Sequence, residues 1–538
     1  MHLGWLKIAK FYMEILMKLK KCNLILIVIL SAMLSVLCCA CSGTDYETDA
    51  WVRSTTGGTT MTSFYDSTVD SKGNIYAVGN IYAVGYMQSE GTVNFNRSGD
   101  PEVKVSGRNG DKCLMVKYDK EGKALWAKTA TGSLGTGFTS VAIDSNDNIY
   151  AVGKQQGSSA YNYGGLVTNV KGASPSNNNG ILVKYNSAGV AQWALIASKT
   201  INSSSSQGSE FAAVTVDKND NIFVAGSQLY GTFTYGTGVD AVDVKSGSAD
   251  YWSPLLIKCN SGGKIVWAKS SESGSSNSTF ASVAVDSANN IYVGGRLNNG
   301  NKVTFRTSSE VSATGAHTIN NAVLVKYNSG GVAQWARTAT ITGDKDQSWF
   351  DDITVDSSNN IYVAGRQRGS GSFIYSSGAT GVSGGYSEGY NAVLIKYNAS
   401  GSVQWARTTK TSASSGFQGI AIGPGNIIYV AGFNYGTTSY NFCGSSDANN
   451  IASRRGGYTE SNSILVMYNS AGNPQWVQSA ITGAGTSDFK SVVVSRGNVY
   501  AVGSQYTTNA FSYSISDDEE VSTKGASTSA NAVIVRFR

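Results

Sequence analysis

Short hydrophobic segments alternate with polar turns along most of the chain, and the pattern returns about every 71 residues. The copy from Ile353 to Thr409 reads ITVDSSNNIYVAG, then a Gly- and Ser-rich run of about 25 residues, then NAVLIKYNASGSVQWARTT. Segments of the kinds FDDITVD, NIYVAG, AVLIKYN and VQWART are short and rich in β-branched and aromatic residues, which favours β-strands. The Asn- and Gly-containing links between them favour tight turns. We therefore predict a repeat of four strands, a to d, with a long insertion between strands b and c.

The number of repeats follows from residues that occupy the same place in each copy. A tryptophan marks strand d at Trp51, Trp126, Trp193, Trp267, Trp335, Trp405 and Trp476. A phenylalanine opens strand a at Phe64, Phe138, Phe211, Phe280, Phe350, Phe417 and Phe489. Both sets indicate seven copies, and we interpret the tryptophans as structural residues of the repeat.

The apolar character of strands b and c predicts how the repeats pack. Both are nearly continuously apolar, which indicates sheets covered on both faces, as the blades of a β-propeller are. The repeats begin with a lone strand d at 50–53 and end with a set of a, b and c, whose last strand covers 533–537. If these ends pair, no orphan edge strand is left. We predict an all-β fold, a seven-bladed β-propeller over residues 50–538, with four-stranded blades, long b–c insertions and a ring closed by the N-terminal strand.

The repeat also resembles a known family. VAVDSANNIYVGG followed by AVLVKYNSGGVAQWAR is similar to the bacterial SBBP-type β-propeller repeat and, more distantly, to NHL repeats. The resemblance covers the chain from Trp51 to Arg538. It implies a secreted or surface propeller without assigned chemistry, and its motifs are structural, so no catalytic residue is transferred.

The N-terminus has a different character. Residues 17–41, MKLKKCNLILIVILSAMLSVLCCAC, have a basic segment, an apolar run of about 15 residues and small residues before a cysteine, the layout of a secretory signal peptide. LCCACSG resembles a relaxed bacterial lipobox, which implies a lipid on Cys41. We expect residues 1–40 to be a leader that truly starts at Met17, and residues 41–49 to be a lipidated tether; an uncleaved signal anchor is the alternative. Either arrangement predicts export and attachment to the bacterial membrane, at the outer surface or in the periplasm.

Charge and cysteine content narrow the possible partners. The formal charge is +6, of which +4 comes from five lysines and one glutamate in residues 1–40, so the body is nearly neutral. We therefore expect no nucleic-acid partner. Beyond the leader and Cys41 only Cys113, Cys259 and Cys443 remain, without a CxxC spacing, so neither a disulfide framework nor a zinc site is predicted.

Possible metal-binding and catalytic motifs have simpler interpretations. DSNDN at 144–148 and DKNDN at 217–221 look like the start of a calcium loop but lack the Gly and the later Glu of an EF-hand. Other copies read DSKGN, DSANN or GPGN there, so we interpret these segments as tight turns. His317 is the single histidine after the leader, and no GxSxG, HExxH or P-loop motif occurs. We predict no catalytic residue, no metal and no cofactor.

The insertions between strands b and c differ most between copies, and loops on a rigid scaffold commonly carry binding sites. Insertions and d–a links leave the same end of the blades, so we expect one elaborated face. We interpret the paired aromatics of the insertions, such as Phe373 and Tyr375, as packing residues of an extra hairpin. Residues that do not recur are the binding candidates, with solvated loop residues as the alternative: Trp252, Trp349, Arg454, Arg455, Asp517, Asp518, Glu519 and Glu520.

These observations predict a non-enzymatic, monomeric, lipid-anchored propeller that binds a protein or a glycan through its loop-rich face, as an adhesion or interaction module. Two alternatives remain open. A hydrolase or lyase would use a carboxylate pair near the central axis, since two carboxylates suffice for glycosidic chemistry. A structural envelope protein would instead contact another copy or a neighbouring lipoprotein.

Overall fold

The computed structural model describes residues 50–537 apart from 59–60, 83–90, 97–99, 108–110, 202–206, 249, 275, 342–345, 370, 443–455, 484 and 517–518. The described residues belong to one compact unit that begins at Ala50. The predicted leader and tether, with Cys41, lie outside the described residues, as do Arg454, Arg455, Asp517 and Asp518. None of the helices in the described part is long and apolar enough to cross a membrane.

Strands make up nearly all of the regular structure. The chain opens with β1 (Trp51–Ser54). Repeat 1 contains β2 (Met61–Val69), β3 (Ile75–Tyr82), β4 (Gly91–Asn94), β5 (Lys104–Gly107), β6 (Lys112–Tyr118) and β7 (Ala124–Thr129). Repeat 2 contains β8 (Thr136–Ile143), β9 (Ile149–Gln156), β10 (Asn178–Tyr185) and β11 (Ala191–Ile201). Repeat 3 contains β12 (Gly208–Val216), β13 (Ile222–Leu229), β14 (Thr232–Tyr235), β15 (Val242–Lys245), β16 (Trp252–Cys259), β17 (Ile265–Ser270) and β18 (Ser273–Gly274). Repeat 4 contains β19 (Ser278–Val285), β20 (Ile291–Asn298), β21 (Lys302–Arg306), β22 (Val311–Thr314), β23 (Asn320–Tyr327), β24 (Ala333–Thr338) and β25 (Thr340–Ile341).

The remaining repeats continue the same order. Repeat 5 contains β26 (Gln347–Val355), β27 (Ile361–Arg368), β28 (Phe373–Ile374), β29 (Tyr390–Tyr397) and β30 (Val403–Thr408). Repeat 6 contains β31 (Ser415–Gly423), β32 (Ile427–Tyr435), β33 (Ser461–Tyr468) and β34 (Pro474–Thr482). Repeat 7 contains β35 (Ser487–Ser495), β36 (Asn498–Tyr506), β37 (Ala510–Ser514), β38 (Glu520–Lys524) and β39 (Ala530–Phe537). One-turn 3-10 helices lie at Gly238–Asp240 and Pro424–Asn426.

Each repeat builds one antiparallel sheet. In repeats 1 to 6, four strands pair in chain order, as β26, β27, β29 and β30 do in repeat 5. The four paired strands of a repeat are called its first to fourth strands below. In repeat 7 the first three strands are β35, β36 and β39, and the fourth place is taken by β1 from the other end of the chain. β1 lies antiparallel to β39, with Trp51 opposite Arg536 and Ser54 opposite Val533.

The insertions lie between the second and third strands and pair with the sheet of the preceding repeat. The insertion strand β14 pairs with the fourth strand β11, and β37 pairs with β34, which extends the sheets of repeats 2 and 6 to six strands. The fourth strand would otherwise expose unpaired backbone groups at the sheet edge. The insertion aromatics are buried, as Phe373 and Tyr375 show with stacked rings 6.2 Å apart, and the Tyr375 hydroxyl donates to Gln367 at 2.9 Å. Much of the described part of the insertions therefore packs against the scaffold.

The apolar core lies between the sheets. Among the described residues, seven clusters of buried apolar side chains each join two consecutive sheets, and one of them joins the sheets of repeats 7 and 1. The first strands also contact one another in sequence, and β35 of repeat 7 contacts β2 of repeat 1. Repeated four-stranded antiparallel sheets that pack face to face in this way make the chain a repeat protein with a β-propeller type of fold.

The recurring tryptophans fasten each sheet to the next. Trp335 on β24 donates from Nε1 to the carbonyl oxygen of Ala399 in the following repeat at 3.4 Å. Gly401 in the same turn has a φ of +78°, and a Cβ there would lie 3.0 Å from the Trp335 ring. Arg337 lies over the Trp335 ring at 4.9 Å and donates to the Gly401 carbonyl oxygen at 2.9 Å. The WAR motif is therefore a clamp on the neighbouring turn.

Candidate functional site

Every first strand carries a β-bulge one residue after its phenylalanine. In β26 the register against β27 shifts between Phe350 and Asp352, which leaves Asp351 as the extra residue. A bulge bends the strand and re-aims the side chain of the extra residue. The equivalent residues of the seven repeats are Tyr65, Thr139, Ala212, Ala281, Asp351, Gln418 and Lys490. They are called the bulged residues below.

A glycine of the second strand makes each bulge possible. Gly365 on β27 lies opposite Phe350, and a Cβ on Gly365 would lie 2.1 Å from the carbonyl oxygen of Trp349. The glycines at this place in the other repeats approach a first-strand carbonyl oxygen as closely, with distances from 1.8 to 2.1 Å. The last glycine of NIYVAG therefore recurs because the backbone of the neighbouring strand occupies the place of its side chain.

All seven bulged residues line one cavity of about 160 Å³, called the central cavity here. Since consecutive first strands contact one another, every sheet contributes a side chain to this cavity. The bulged residues include an aromatic, an anionic and a cationic side chain as well as small ones. The repeats thus place seven side chains of six residue types around a common space.

Two further carboxyl groups, those of Asp66 and Asp352, reach the central cavity directly after bulged residues. Asp352 accepts hydrogen bonds from the Ser282 hydroxyl at 2.7 Å and from the backbone N–H groups of Ile353 and Ile420 at 2.8 and 2.9 Å. These bonds join the sheets of repeats 4, 5 and 6. Asp66 bonds in the same manner to repeats 7 and 2.

Burial raises the pKa of both carboxyl groups. For Asp352 the pKa rises to about 7, with the nearby charge of Asp66 adding to the effect of burial, and hydrogen bonds from Ser282 and the backbone opposing it. For Asp66 burial also raises the pKa, and hydrogen bonds from Val141 and Ser491 oppose the rise. The central cavity therefore contains a carboxyl group that changes its protonation near neutral pH.

A second cavity of about 250 Å³ adjoins the central cavity and shares Thr139, Ala212, Ala281 and Asp351 with it. Arg296 and Arg366 line it from the ends of second strands, where the insertions leave. This cavity, called the rim pocket, therefore opens toward the insertion-bearing end of the sheets.

Charged side chains surround the rim pocket. Lys154 and Glu210 form an ion pair at 3.3 Å, and Arg366 approaches Asp351 at 3.6 Å. Burial raises the pKa of the Asp351 carboxyl, and the positive charges of Arg366, Lys490 and Arg296 partly counteract that rise. The pocket therefore combines anionic acceptors with an excess of cationic donors.

The candidate Trp349 lies at this pocket as a buried support. Its side chain is 7% exposed, and the edge of its ring meets the Tyr390 ring with 5.3 Å between the ring centres. The Arg366 guanidinium lies 5.4 Å from each of the two ring centres. Since cation–π contacts of this kind hold an arginine in place, Trp349 and Tyr390 position Arg366 at the pocket.

The other described candidates lie outside the rim pocket and the central cavity. Trp252 begins β16, is half-buried and donates from its backbone to Asn277 at 2.9 Å. Glu520 begins β38 and is exposed, and the backbone carbonyl of Glu519 accepts a hydrogen bond from Ile515 at 3.0 Å. Of the described candidates, only Trp349 lies at the rim pocket, and Arg296, Arg366 and the bulged residues were not among the residues that the sequence predicted. The available signal was that the residue after the phenylalanine of strand a has no common type.

The acidic turns use their carboxylates within the fold. Asp144 accepts from the backbone N–H groups of Asn146 and Asn148 at 2.9 Å each, and from the Tyr150 hydroxyl at 2.9 Å. Asp220 accepts from the backbone and hydroxyl of Ser145 in the preceding repeat. Within the described ranges, no group of three or more His, Cys, Asp or Glu residues could hold a metal ion. The turns therefore join neighbouring sheets.

The described cysteines and the histidine lie elsewhere in the fold. Cys113 and Cys259 are buried, and burial raises the pKa of their thiols to about 11 and about 12. The backbone of His317 bonds to Asn321. None of the three lines the rim pocket or the central cavity.

Comparisons with known proteins place the chain among repeat proteins without fixing its family. No family model matches it. An uncharacterized WD repeat-containing protein, L264, of Acanthamoeba polyphaga mimivirus is 27% identical over 188 residues, which cover 33% of this chain and 13% of that protein. The chain thus spans a small part of the length of that relative.

Several solved structures share a weak likeness. The polysaccharide lyase Uly1 is 9% identical with a TM-score of 0.40, over 88% of this chain and 89% of that one. YCF48 bound to a D1 peptide is 9% identical with a TM-score of 0.37, over 92% and 96%. A protein of unknown function from Dyadobacter fermentans is 10% identical with a TM-score of 0.35, over 74% and 94%. At these values none of them assigns a ligand or an activity to this chain.

Proposed function

We propose that the chain is a closed, seven-bladed propeller of the SBBP type, exported and lipid-anchored through Cys41, that binds a protein or glycan ligand at the rim pocket and the central cavity. Closure is supported by the pairing of β1 with β39 and by the contact between β35 and β2. A role as an interaction module is consistent with the WD-repeat relative. The proposed site opens toward the insertion-bearing end of the sheets, the loop-rich face that the sequence favoured, but strand residues line it rather than insertion residues.

One observation carries the binding function. Scaffold positions such as the clamp tryptophans and the bulge glycines recur in the repeats, whereas the seven bulged residues that share the central cavity differ in size and charge. If the seven bulged positions served only to hold the blades together, the same residue type could occupy all of them. A cavity with a few placed polar groups on a rigid scaffold is typical of a ligand site.

Binding can be tested by screening the full-length protein against arrays of defined glycans and of bacterial envelope proteins. Any ligand found is then titrated against an Ala281→Phe variant, in which a bulged residue fills the central cavity. Arg496→Ala, an exposed arginine on the turn between β35 and β36, is the matched control at the opposite end of the sheets. We expect at least a tenfold loss of affinity with Ala281→Phe and none with Arg496→Ala. A ligand that binds all three proteins equally, or no ligand in either array, would contradict the proposal.

A carboxylate-dependent hydrolase or lyase is a second candidate because Asp66, Asp351 and Asp352 all line the central cavity and burial raises the pKa of each. A carboxyl group with a raised pKa is suited to general acid catalysis. Incubation with defined polysaccharides, followed by measurement of new reducing ends, tests this activity. Loss of the activity in Asp351→Asn would support it. Reducing ends that do not increase, or that persist in Asp351→Asn, would remove it.

A further inference from the structure

The rim pocket contains a donor and an acceptor that the fold leaves unused. The Nε atom of Arg366 and the Oδ2 atom of Asp351 are buried, and neither has a hydrogen-bond partner within the described residues. A buried polar group without a hydrogen-bond partner destabilises the fold. The two side chains form one ion pair at the pocket wall and remain 25% and 23% exposed, so a single ligand that both donates and accepts hydrogen bonds can contact both.

The charges of the pocket favour a ligand with one negative charge. Lys154 and Glu210 neutralise each other, as do Arg366 and Asp351. Arg296 is exposed and lines the pocket, and its side chain makes no hydrogen bond or ion pair with a described residue. It acts on Asp351 only through its charge. One guanidinium thus remains available to pair with a carboxylate, a geometry that arginine favours.

Size and lining define the rest of the ligand. The rim pocket of about 250 Å³ is lined by the hydroxyl-bearing residues Thr139, Ser227 and Thr279, and it adjoins the smaller central cavity of about 160 Å³. Hydroxyl groups both donate and accept, which suits a ligand with several hydroxyls. A space of this size holds one ring of a sugar, so the end of a chain fits it better than the middle of a polymer.

We propose that the rim pocket binds the terminal, carboxylate-bearing sugar of an acidic glycan. Arg296 and Arg366 contact the carboxylate, and Asp351 accepts a hydrogen bond from a hydroxyl of the ring. The inference rests on the proposed binding function of the same site and adds the class of ligand.

Calorimetric titration of the full-length protein with glucuronic and galacturonic acid, and with glucose and galactose as neutral counterparts, tests this assignment. We expect at least one of the acids to bind ten times more tightly than its neutral counterpart. Arg296→Ala should weaken that binding at least tenfold, because the unpaired guanidinium is lost. Arg366→Gln should weaken it as well, whereas Arg496→Ala on the opposite face should leave it unchanged.

The outcomes separate the ligand class from the binding function. Equal binding of acidic and neutral sugars, or unchanged binding in Arg296→Ala, overturns the assignment. Competition by N-acetylglycine as strong as that by the uronic acids would show that the site reads a peptide-like carboxylate instead. If neither uronic acid binds while a ligand from the arrays binds Ala281→Phe more weakly than wild type, the acidic-sugar assignment is wrong and the proposed binding function is retained. Arg366→Gln removes the contacts with the Trp349 and Tyr390 rings, so the thermal midpoint of this variant is compared with that of wild type. If Arg366→Gln unfolds, Arg296→Ala still tests the assignment, because Arg296 makes no such ring contacts.

Discussion

Replacing Gly365 by alanine probes the bulge that places Asp351 in the central cavity. The added Cβ would lie 2.1 Å from the carbonyl oxygen of Trp349 and 3.2 Å from the Cα of Phe350. Both are backbone atoms in the centre of a sheet, so no side-chain rotation relieves the overlap, and β26 must move away from β27. Overpacking by a side chain costs about 1–3 kcal/mol. Because backbone has to shift, we expect a loss of at least about 3 kcal/mol in the free energy of unfolding.

Equilibrium unfolding in urea measures this loss, with Gly330→Ala as the matched control. Gly330 lies in a turn between the third and fourth strands of repeat 4, where the nearest atom to an added Cβ is Asn328 Oδ1 at 3.4 Å. The control should stay within about 0.5 kcal/mol of wild type, as exposed substitutions usually do. If the two variants unfold at the same urea concentration with the same slope, the steric role assigned to the glycine is wrong.

Three further predictions concern the clamp tryptophan Trp51, the titration of Asp352 and the turn at Asp144. Trp51→Ala removes a buried ring whose Nε1 donates to Lys120 at 3.1 Å in the adjoining repeat, and should lower the free energy of unfolding by about 3–5 kcal/mol in urea; an unchanged urea midpoint would contradict the clamp. Because the pKa of Asp352 is raised to about 7, its contribution to stability is complete below pH 4 and is lost as the pH rises toward 7. The asparagine of Asp352→Asn cannot ionise, so the free energy of unfolding of this variant relative to wild type should rise over that pH range, by at most about 4 kcal/mol. A difference that does not depend on pH would refute the raised pKa of Asp352. Asp144→Ala should cost about 1–3 kcal/mol through its lost turn hydrogen bonds, and EDTA should leave the thermal midpoint of the wild-type protein unchanged; a lower midpoint in EDTA would favour a calcium loop.

The repeat pattern predicted the strands well because each strand faces a similar neighbour in every repeat. In the copy that begins at Ile353, the segments NIYVAG and AVLIKYN correspond to parts of β27 and β29. The turn residue Asp356 accepts from the backbone of Ser358 and Asn360, which is the local bonding that favours Asp and Asn at such places. Strands and turns depend on residues close in sequence or on a partner that recurs in every repeat, so the repeat pattern of the sequence predicts them.

The bulges and the path of the insertions could not be predicted in the same way. A bulge depends on the backbone of two paired strands. The extra residue has no common type among the repeats, as Asp351 in repeat 5 and Ala281 in repeat 4 show. Besides that variability, the recurring glycine, Gly365 in repeat 5, indicated the bulge, since glycine in a strand often marks a close backbone approach. The paired aromatics of the insertions predicted an extra packed hairpin, but not the strand against which it lies. β14 and β37 pair with fourth strands of the preceding repeats, which satisfies open sheet edges that no single repeat reveals.

A crystal structure of the full-length protein with the ligand selected by the glycan and protein arrays would show directly whether the ligand binds in the rim pocket. We expect ligand density there, in contact with Arg366 and Asp351 and reaching toward the other bulged residues. Density confined to the outer insertions, or to the turns at the opposite end of the sheets, with the rim pocket and central cavity empty, would contradict it.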